Sequence, residues 1–118
     1  MLINFSNHPL ATWSKEQIEA SKVYGEIRDM PFPAIDPAAS YDDIQLLADQ
    51  YVHNILSTAG DCQITVHIMG EMTFTYLVVS LLKEKGIECI ASTSVRDAEV
   101  TADGRKLSDF QFVKFRRY

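Results

Sequence analysis

The regular alternation of apolar runs with amphipathic stretches constrains this chain more than any other feature of its sequence. Strand-like runs occur at "LINFS" (2–6), "EIRDMPFP" (26–33), "CQITVHIM" (62–69), "IECIAST" (87–93) and "DFQFVKFRRY" (109–118). Helices are predicted between the first four of them, over residues 15–24, from Ser40 to about Gly60, and over 72–85. The predicted order of elements is therefore β-α-β-α-β-α-β-β.

This order predicts an α/β fold, because strands that alternate with helices form a mainly parallel sheet covered by helices. We expect one three-layer Rossmann-like domain over residues 1–118, with a mainly parallel five-stranded sheet. The last strand follows the turn "DGRK" (103–106), so it should be an antiparallel edge strand. Right-handed crossovers leave two sheet orders open, 2-1-3-4-5 and 3-2-1-4-5.

Composition and charge narrow the classes of partner. Of the 118 residues 47% are hydrophobic, and the net charge is −5. An acidic chain is poorly suited to duplex nucleic acid, although it can still hold a small anion. No apolar run approaches the roughly 20 residues of a membrane span, so no membrane association is expected. Cys62 and Cys89 lie far apart and are both interpreted as buried apolar residues, which favours a reducing cytoplasmic location.

A ligand site is predicted at the carboxyl ends of the strands, because open parallel sheets bind ligands where the strand order reverses. Three polar segments should meet there: "SNHP" (6–9), "GEMTFT" (70–75) and "STSVR" (92–96). Free amides at the start of the third helix would suit an anion. The candidate binding residues are Ser6, Asn7, Gly70, Met72, Thr73, Thr75, Ser92, Thr93 and Ser94. The candidate catalytic residues are His8, Glu71 and Arg96.

Each of these residues also has a structural interpretation. Thr73 or Glu71 could serve only the start of the third helix, and Arg96 could pair with a surface acid. His67 lies within a strand and is more typical of a core histidine than of a catalyst. The sequence has no GxGxxG, GxxxxGK[ST], GxSxG or HExxH motif and no His/Cys cluster, so neither a cofactor nor a metal is expected.

Several segments together resemble a known group of proteins over nearly the whole chain. They are "INFSNHP", "PFPAIDP", "HIMGEMTFT", "IASTS" and "FVKFRRY". The chain resembles short bacterial CRISPR-associated proteins of the CARF and ring-nuclease type. This resemblance implies a dimer that binds or cleaves a cyclic oligoadenylate above the strand ends. By position, Ser6, Asn7 and His8 match the first-strand loop, and 70–73 match a later one. Glu71 departs from such a pattern, because a carboxylate repels a polyanion.

Three functional hypotheses follow. The first is binding of a small anionic nucleotide, to which metal-independent ring cleavage and a homodimer are added as further hypotheses. In that reaction His8 would carry a proton, while Arg96 and the amides near Thr73 would stabilise charge. The second is a nucleoside-type glycosidic enzyme that uses Glu71. The third is a non-catalytic interaction domain.

Overall fold

The chain folds as an α/β structure with one five-stranded mixed sheet. A computed structural model describes the backbone of residues 1–118 and the side chains of residues 1–96, 100–105 and 109–118. The strands are β1 (Leu2–Ser6), β2 (Ile27–Asp29), β3 (Thr65–Met69), β4 (Glu88–Val100) and β5 (Lys106–Arg117). The α-helices are α1 (Lys15–Ser21), α2 (Tyr41–Ala59) and α3 (Met72–Glu84), with short 3₁₀ turns at Leu10–Thr12 and Lys22–Tyr24.

The sheet order is β2-β1-β3-β4-β5, which is the first of the two predicted orders. Strands β2, β1, β3 and β4 are mutually parallel, and β5 pairs antiparallel with β4 at the edge, as predicted. The direction of the crossovers reverses between β1 and β3. The carboxyl ends of these two strands therefore mark the position where a ligand site is expected.

Alternate residues of β1 and of β4 face two separate hydrophobic clusters, because successive side chains of a strand point to opposite sides. Ile3 and Phe5 of β1 pack with buried residues of α2 and α3, such as Val52 and Val78. Leu2 packs on the other side, where its cluster includes Trp13 and Ile90, with Ile18 of α1 packed against it. Both faces of β1 are thus buried, as its near-continuous apolar sequence predicts.

Strand β4 is longer than the sequence predicted. It continues to Val100, whereas the predicted strand ended at Thr93. The antiparallel partner β5 extends with it and supplies hydrogen bonds beyond the end of β3, with a register shift at Thr93/Ser94. The prediction that residues 92–96 form a loop is therefore wrong, because a neighbouring strand satisfies their backbone groups.

Serine N-caps begin two of the helices, and the predicted first helix (15–24) is shorter in the structure, because α1 ends three residues earlier and a 3₁₀ turn follows it. Ser14 and Ser40 are the N-caps of α1 and α2, and each accepts a hydrogen bond from the amide three residues later. β3 begins at Thr65 rather than at residue 62, and Cys62 is exposed, so its predicted burial is wrong. Cys89 is buried as predicted, and this burial raises the pKa of its thiol to about 11. Among the described residues, no helix is both long and apolar enough to cross a membrane.

Candidate functional site at the carboxyl edge of the sheet

Three neighbouring depressions line the carboxyl edge of the parallel strands. The proline cleft, of about 630 Å³, lies beside Pro31, Pro33 and Asp29. The serine cleft, of about 460 Å³, lies between α1 and the β4–β5 hairpin and is lined by residues such as Trp13, Gln17 and Ser92. The tyrosine groove, of about 310 Å³, lies between Tyr76 and Tyr118. The single crevice that the sequence predicted is thus divided into three.

Most of the predicted binding and catalytic residues are distributed among these clefts, whereas Thr73 lines none of them. The proline cleft contains Ser6, Asn7 and Glu71. The serine cleft contains His8, Ser92, Thr93 and Ser94. The tyrosine groove contains Gly70, Met72 and Thr75. Arg96 lies beside the serine cleft, with its guanidinium carbon 5.9 Å from the ring centre of Phe110.

Glu71 is the N-cap of α3, and its carboxylate occupies the position where an anion would bind. Its oxygens accept hydrogen bonds from the amides of Thr73 (3.0 Å) and Phe74 (2.8 Å) and from the Thr73 hydroxyl (2.5 Å). These bonds, led by that of the hydroxyl, lower the pKa of Glu71. The amides that were expected to receive a phosphate are therefore already engaged by the chain's own carboxylate.

Gly70 makes room for an aromatic ring. A Cβ atom at position 70 would overlap the ring of Phe32 in the segment after β2. That ring packs against Phe5 and Phe74, with ring centres 5.1 and 5.3 Å away. The absence of a side chain at Gly70 therefore permits the close approach of Phe32, whereas the sequence analysis named Gly70 as a candidate binding residue.

A row of polar side chains crosses the sheet on the face that carries α1. Asp29, Asn4 and His67 are direct neighbours in register on β2, β1 and β3. Ser92 lies on β4, two residues beyond the partner of His67, and therefore points to the same side. Asn4 and His67 are each 1% exposed. Burial of this kind requires that the polar groups satisfy one another.

The hydrogen bonds of the row determine the orientation of its central amide. Asn4 Nδ2 donates to Asp29 Oδ1 and to the carbonyl oxygen of His8, both at 2.9 Å. Asn4 Oδ1 therefore faces the two remaining partners, the Ser6 hydroxyl at 2.8 Å and His67 Nδ1 at 2.9 Å. Since an amide oxygen only accepts, Nδ1 of His67 must carry the proton.

This tautomer leaves Nε2 of His67 as an acceptor for Ser92. The Ser92 hydroxyl lies 2.7 Å from Nε2 and donates its proton to it. Gln17 Nε2 donates in turn to Ser92 Oγ at 3.0 Å. Burial, and secondarily the nearby His8, lowers the pKa of His67 to about 4. The imidazole is therefore uncharged at neutral pH, and its basic nitrogen is directed at a hydroxyl in the serine cleft.

Aromatic rings enclose the imidazole. The ring centres of Trp13 and Phe115 lie 5.1 and 5.6 Å from that of His67, in edge-on orientations. Trp13 Nε1 donates to the carbonyl oxygen of His8 at 2.9 Å. This bond connects the segment that precedes α1 to the loop after β1. The rings cover one side of the row, and Ser92 and His67 are the members of the row that line the serine cleft.

A comparison with protein families identifies the group to which this architecture belongs. One family model, that of the uncharacterised protein MJ1673 family, matches residues 1–116. The chain belongs to the MJ1673 family. No curated protein and no solved structure matches the chain. The description of the MJ1673 family carries no activity, so the chemistry must be inferred from the site.

Sequence reasoning missed most of the polar row in this member of the MJ1673 family. Asn4, Gln17 and Asp29 were not among its candidates, and His67 was assigned to the core. The burial of His67 is confirmed, but both nitrogens of its ring are hydrogen-bonded within the row. The available signal was a polar residue inside two otherwise apolar strands. Among the described residues, no group of three His, Cys, Asp or Glu side chains could hold a metal ion.

Proposed function

We propose that the protein binds a nucleotide in the serine cleft, on a three-layer Rossmann-like arrangement with the ligand above the carboxyl ends of the strands. One observation carries the proposal: this cleft combines aromatic walls with hydroxyl and amide groups. Trp13, Phe110 and Phe112 supply ring faces and edges, and Gln17 and Ser92 supply the polar groups. Such a combination suits a base that stacks and a ribose that forms hydrogen bonds.

The phosphates of such a ligand would lie toward the mouth of the cleft. The N-terminus of α3 is occupied by the Glu71 carboxylate, so it offers no site for them. Arg96 stands over Phe110, which is a wall residue of the serine cleft. We therefore assign the contact with a phosphate that emerges from the cleft to its guanidinium.

Within nucleotides, the resemblance of the chain to CARF and ring-nuclease proteins favours a cyclic oligoadenylate and a role in CRISPR-linked defence. Metal-independent ring cleavage is part of this proposal, with His8 and Arg96 as its candidate residues. The glycosidic alternative has less support, because both carboxylate oxygens of Glu71 accept hydrogen bonds from the start of α3.

The test is thermal unfolding in the presence of cyclic tri-, tetra- and hexa-adenylate and their linear forms. A ligand at about 100 times its dissociation constant adds about 2.7 kcal/mol to the free energy of unfolding. We expect one of these nucleotides to raise the melting temperature, and chromatography of the recovered ligand to report any cleavage. If the full panel leaves the melting temperature unchanged, the proposal fails.

A pair of variants on β5 assigns the effect to the serine cleft. Phe110 is 65% exposed and lines the cleft, so Phe110→Ala should weaken binding while the fold remains intact. Gln111 is exposed on the same strand and lies outside the cleft lining, so Gln111→Ala is the control. Equal affinity of the two variants for the nucleotide would show that the ligand does not bind in this cleft.

A homodimer through β5 is part of the same proposal. β5 is the outer strand of the sheet, and its exposed side chains include Phe110 and Val113. An edge strand with apolar side chains is able to pair with a second copy. Sedimentation equilibrium over a range of concentrations should show a dimer that Val113→Lys weakens, and a monomer at every concentration would exclude it.

A further inference from the structure

We infer that Ser92 is a covalent nucleophile, that His67 is its general base, and that the substrates are uncharged carboxylic esters. The inference goes beyond nucleotide binding, because it concerns the reactivity of one hydroxyl and needs no nucleotide. It rests on the geometry of the polar row, in which each group has one assigned partner.

The hydrogen bonds of the row determine which nitrogen of His67 can take a proton from Ser92. Asn4 fixes the Nδ1 proton of His67 with its amide oxygen at 2.9 Å. Nε2 is consequently the basic nitrogen, and it accepts the Ser92 hydroxyl at 2.7 Å. A hydroxyl bound to the free nitrogen of an oriented imidazole is the arrangement that activates a serine.

Asn4, which holds the imidazole of His67, is itself held by Asp29. Asp29 accepts from Asn4 Nδ2 at 2.9 Å, so a carboxylate lies at the far end of the row. This bond fixes the orientation of the Asn4 amide, so that its oxygen holds the Nδ1 proton of His67 while Nε2 takes the serine proton. Asn4 and Asp29 are therefore positioning residues, and neither touches the substrate through this role.

The hydroxyl of Ser92 is accessible to a ligand in the serine cleft. Its Oγ donates to His67 and accepts one bond from Gln17, which leaves one lone pair for attack. Ser92 lines the serine cleft, and Trp13, Met69 and Phe112 make much of that cleft apolar. Such walls suit an alkyl or aromatic group attached to a carbonyl.

The reaction proceeds in two balanced steps. The proton of Ser92 passes to His67 Nε2 while Oγ bonds to the carbonyl carbon, and the bond from that carbon to the alkoxy oxygen then breaks. The departing alcohol takes the proton from Nε2. Water next attacks the acyl group with His67 as base, which releases the carboxylic acid and restores the Ser92 hydroxyl.

The class of electrophile follows from charge. Among the residues that the structure describes, the two histidines His8 and His67 are the ionisable side chains that line the cleft, and it has no lysine or arginine in its lining. A neutral carbonyl requires less compensation than a phosphodiester, which brings a negative charge to the reaction. We therefore expect Ser92 to be acylated by p-nitrophenyl acetate and not to react with bis(p-nitrophenyl) phosphate.

The experiment treats the intact protein with an alkyl fluorophosphonate and locates the adduct by peptide mass spectrometry. The Ser92 oxygen bonds to phosphorus, fluoride leaves, and the hydroxyl proton passes to His67. We expect one adduct, on Ser92, and no adduct in Ser92→Ala. Ser57 is an exposed serine of α2, so Ser57→Ala is the control and should be labelled as the wild-type protein is. His67→Gln should slow labelling by at least about 100-fold, the usual contribution of a general base.

The pH profile of the wild-type protein provides a second test that needs no variant. Because the pKa of His67 is about 4, its base form is complete above about pH 5, and the labelling rate should be constant from pH 5 to 8. A rate that rises about tenfold per pH unit would indicate hydroxide chemistry and overturn the inference. Absence of any adduct on Ser92 would overturn it as well.

Competition separates this inference from the proposed function. A nucleotide that binds in the serine cleft should protect Ser92 from the fluorophosphonate, which would support both. If Ser92 is labelled and no nucleotide protects it, the nucleophile stands and the nucleotide site is elsewhere. If a nucleotide stabilises the protein but Ser92 does not react, binding stands and the nucleophile is excluded.

Discussion

His67 Nε2 lies 2.7 Å from Ser92 Oγ, although the two residues belong to different strands and are 25 positions apart in the chain. Parallel pairing of β3 with β4 sets the residues near each other, since His67 is paired with Ile90 and Ser92 follows two residues later on the same face. Every further property of the candidate site follows from this contact and from the burial of the imidazole behind it.

The buried imidazole should make the stability of the protein depend on pH. The unfolded chain protonates His67 near its ordinary pKa of 6.5, whereas the folded protein does so only near 4. The contribution of His67 is therefore fully present above pH 6.5 and is lost as pH falls toward 4, by about 3 kcal/mol in total. Urea unfolding between pH 7 and 5 should show the decline.

Variants at two histidines isolate that contribution. His67→Gln should lower stability at pH 7 but flatten its decline between pH 7 and 5. His53, on an exposed position of α2, provides the control, and His53→Gln should retain the decline of the wild-type protein. Parallel pH profiles for wild type and His67→Gln would mean that His67 is not held neutral.

Glu71 should stabilise α3 as its N-cap. Glu71→Ala removes the acceptor for the amides of Thr73 and Phe74, so the free energy of unfolding should fall by about 1 kcal/mol. Glu71→Gln keeps one acceptor oxygen and should lose less. Hydrogen bonding lowers the pKa of Glu71. The contribution of the charged cap to stability is therefore fully present above the ordinary pKa of a glutamate, and it is lost as pH falls through the lowered pKa.

The comparison for Glu71 is an acid at the other end of the same helix. Glu84 is the last residue of α3, and a negative charge there opposes the helix dipole. Glu84→Ala should therefore leave stability unchanged or raise it slightly in the same chemical unfolding experiment. A loss in Glu84→Ala as large as that in Glu71→Ala would show that the cap has no special effect.

Gly70 should be intolerant of a methyl group because of Phe32. Gly70→Ala forces the ring of Phe32 away from Phe5 and Phe74, at a cost of about 1–3 kcal/mol. The same substitution made in a Phe32→Ala background should cost much less, since the overlapping ring is gone. Chemical unfolding of the four proteins in this cycle measures the coupling, and an equal cost in both backgrounds would refute it.

The sequence predicted the fold better than the site. Capping residues and apolar periodicity were sufficient for the helices, as Ser14 and Ser40 show, because such signals are local. The extension of β4 was not predictable, because it depends on pairing with β5. Asn4 and His67 each looked like a single polar residue in an apolar strand. Only the strand order and register bring them together, and neither can be read from local pattern.

The expected anion site failed for a related reason. A glycine, an acid and two threonines before a helix are compatible with ligand binding and with capping. The choice depends on where the carboxylate of Glu71 points, and it turns back to Thr73 and Phe74. Sequence reasoning had both interpretations available, and the side-chain geometry distinguishes them.

The most direct test of the account is the protonation of the His67 ring in ¹⁵N-histidine-labelled protein at pH 7. Long-range ¹H–¹⁵N correlation spectra report which nitrogen carries the proton, with His67→Gln to assign the signals. We predict a proton on Nδ1, an unprotonated Nε2 that shifts in Ser92→Ala, and a pKa of about 4. A proton on Nε2, or titration near 6.5, would contradict the transfer of the Ser92 proton to His67.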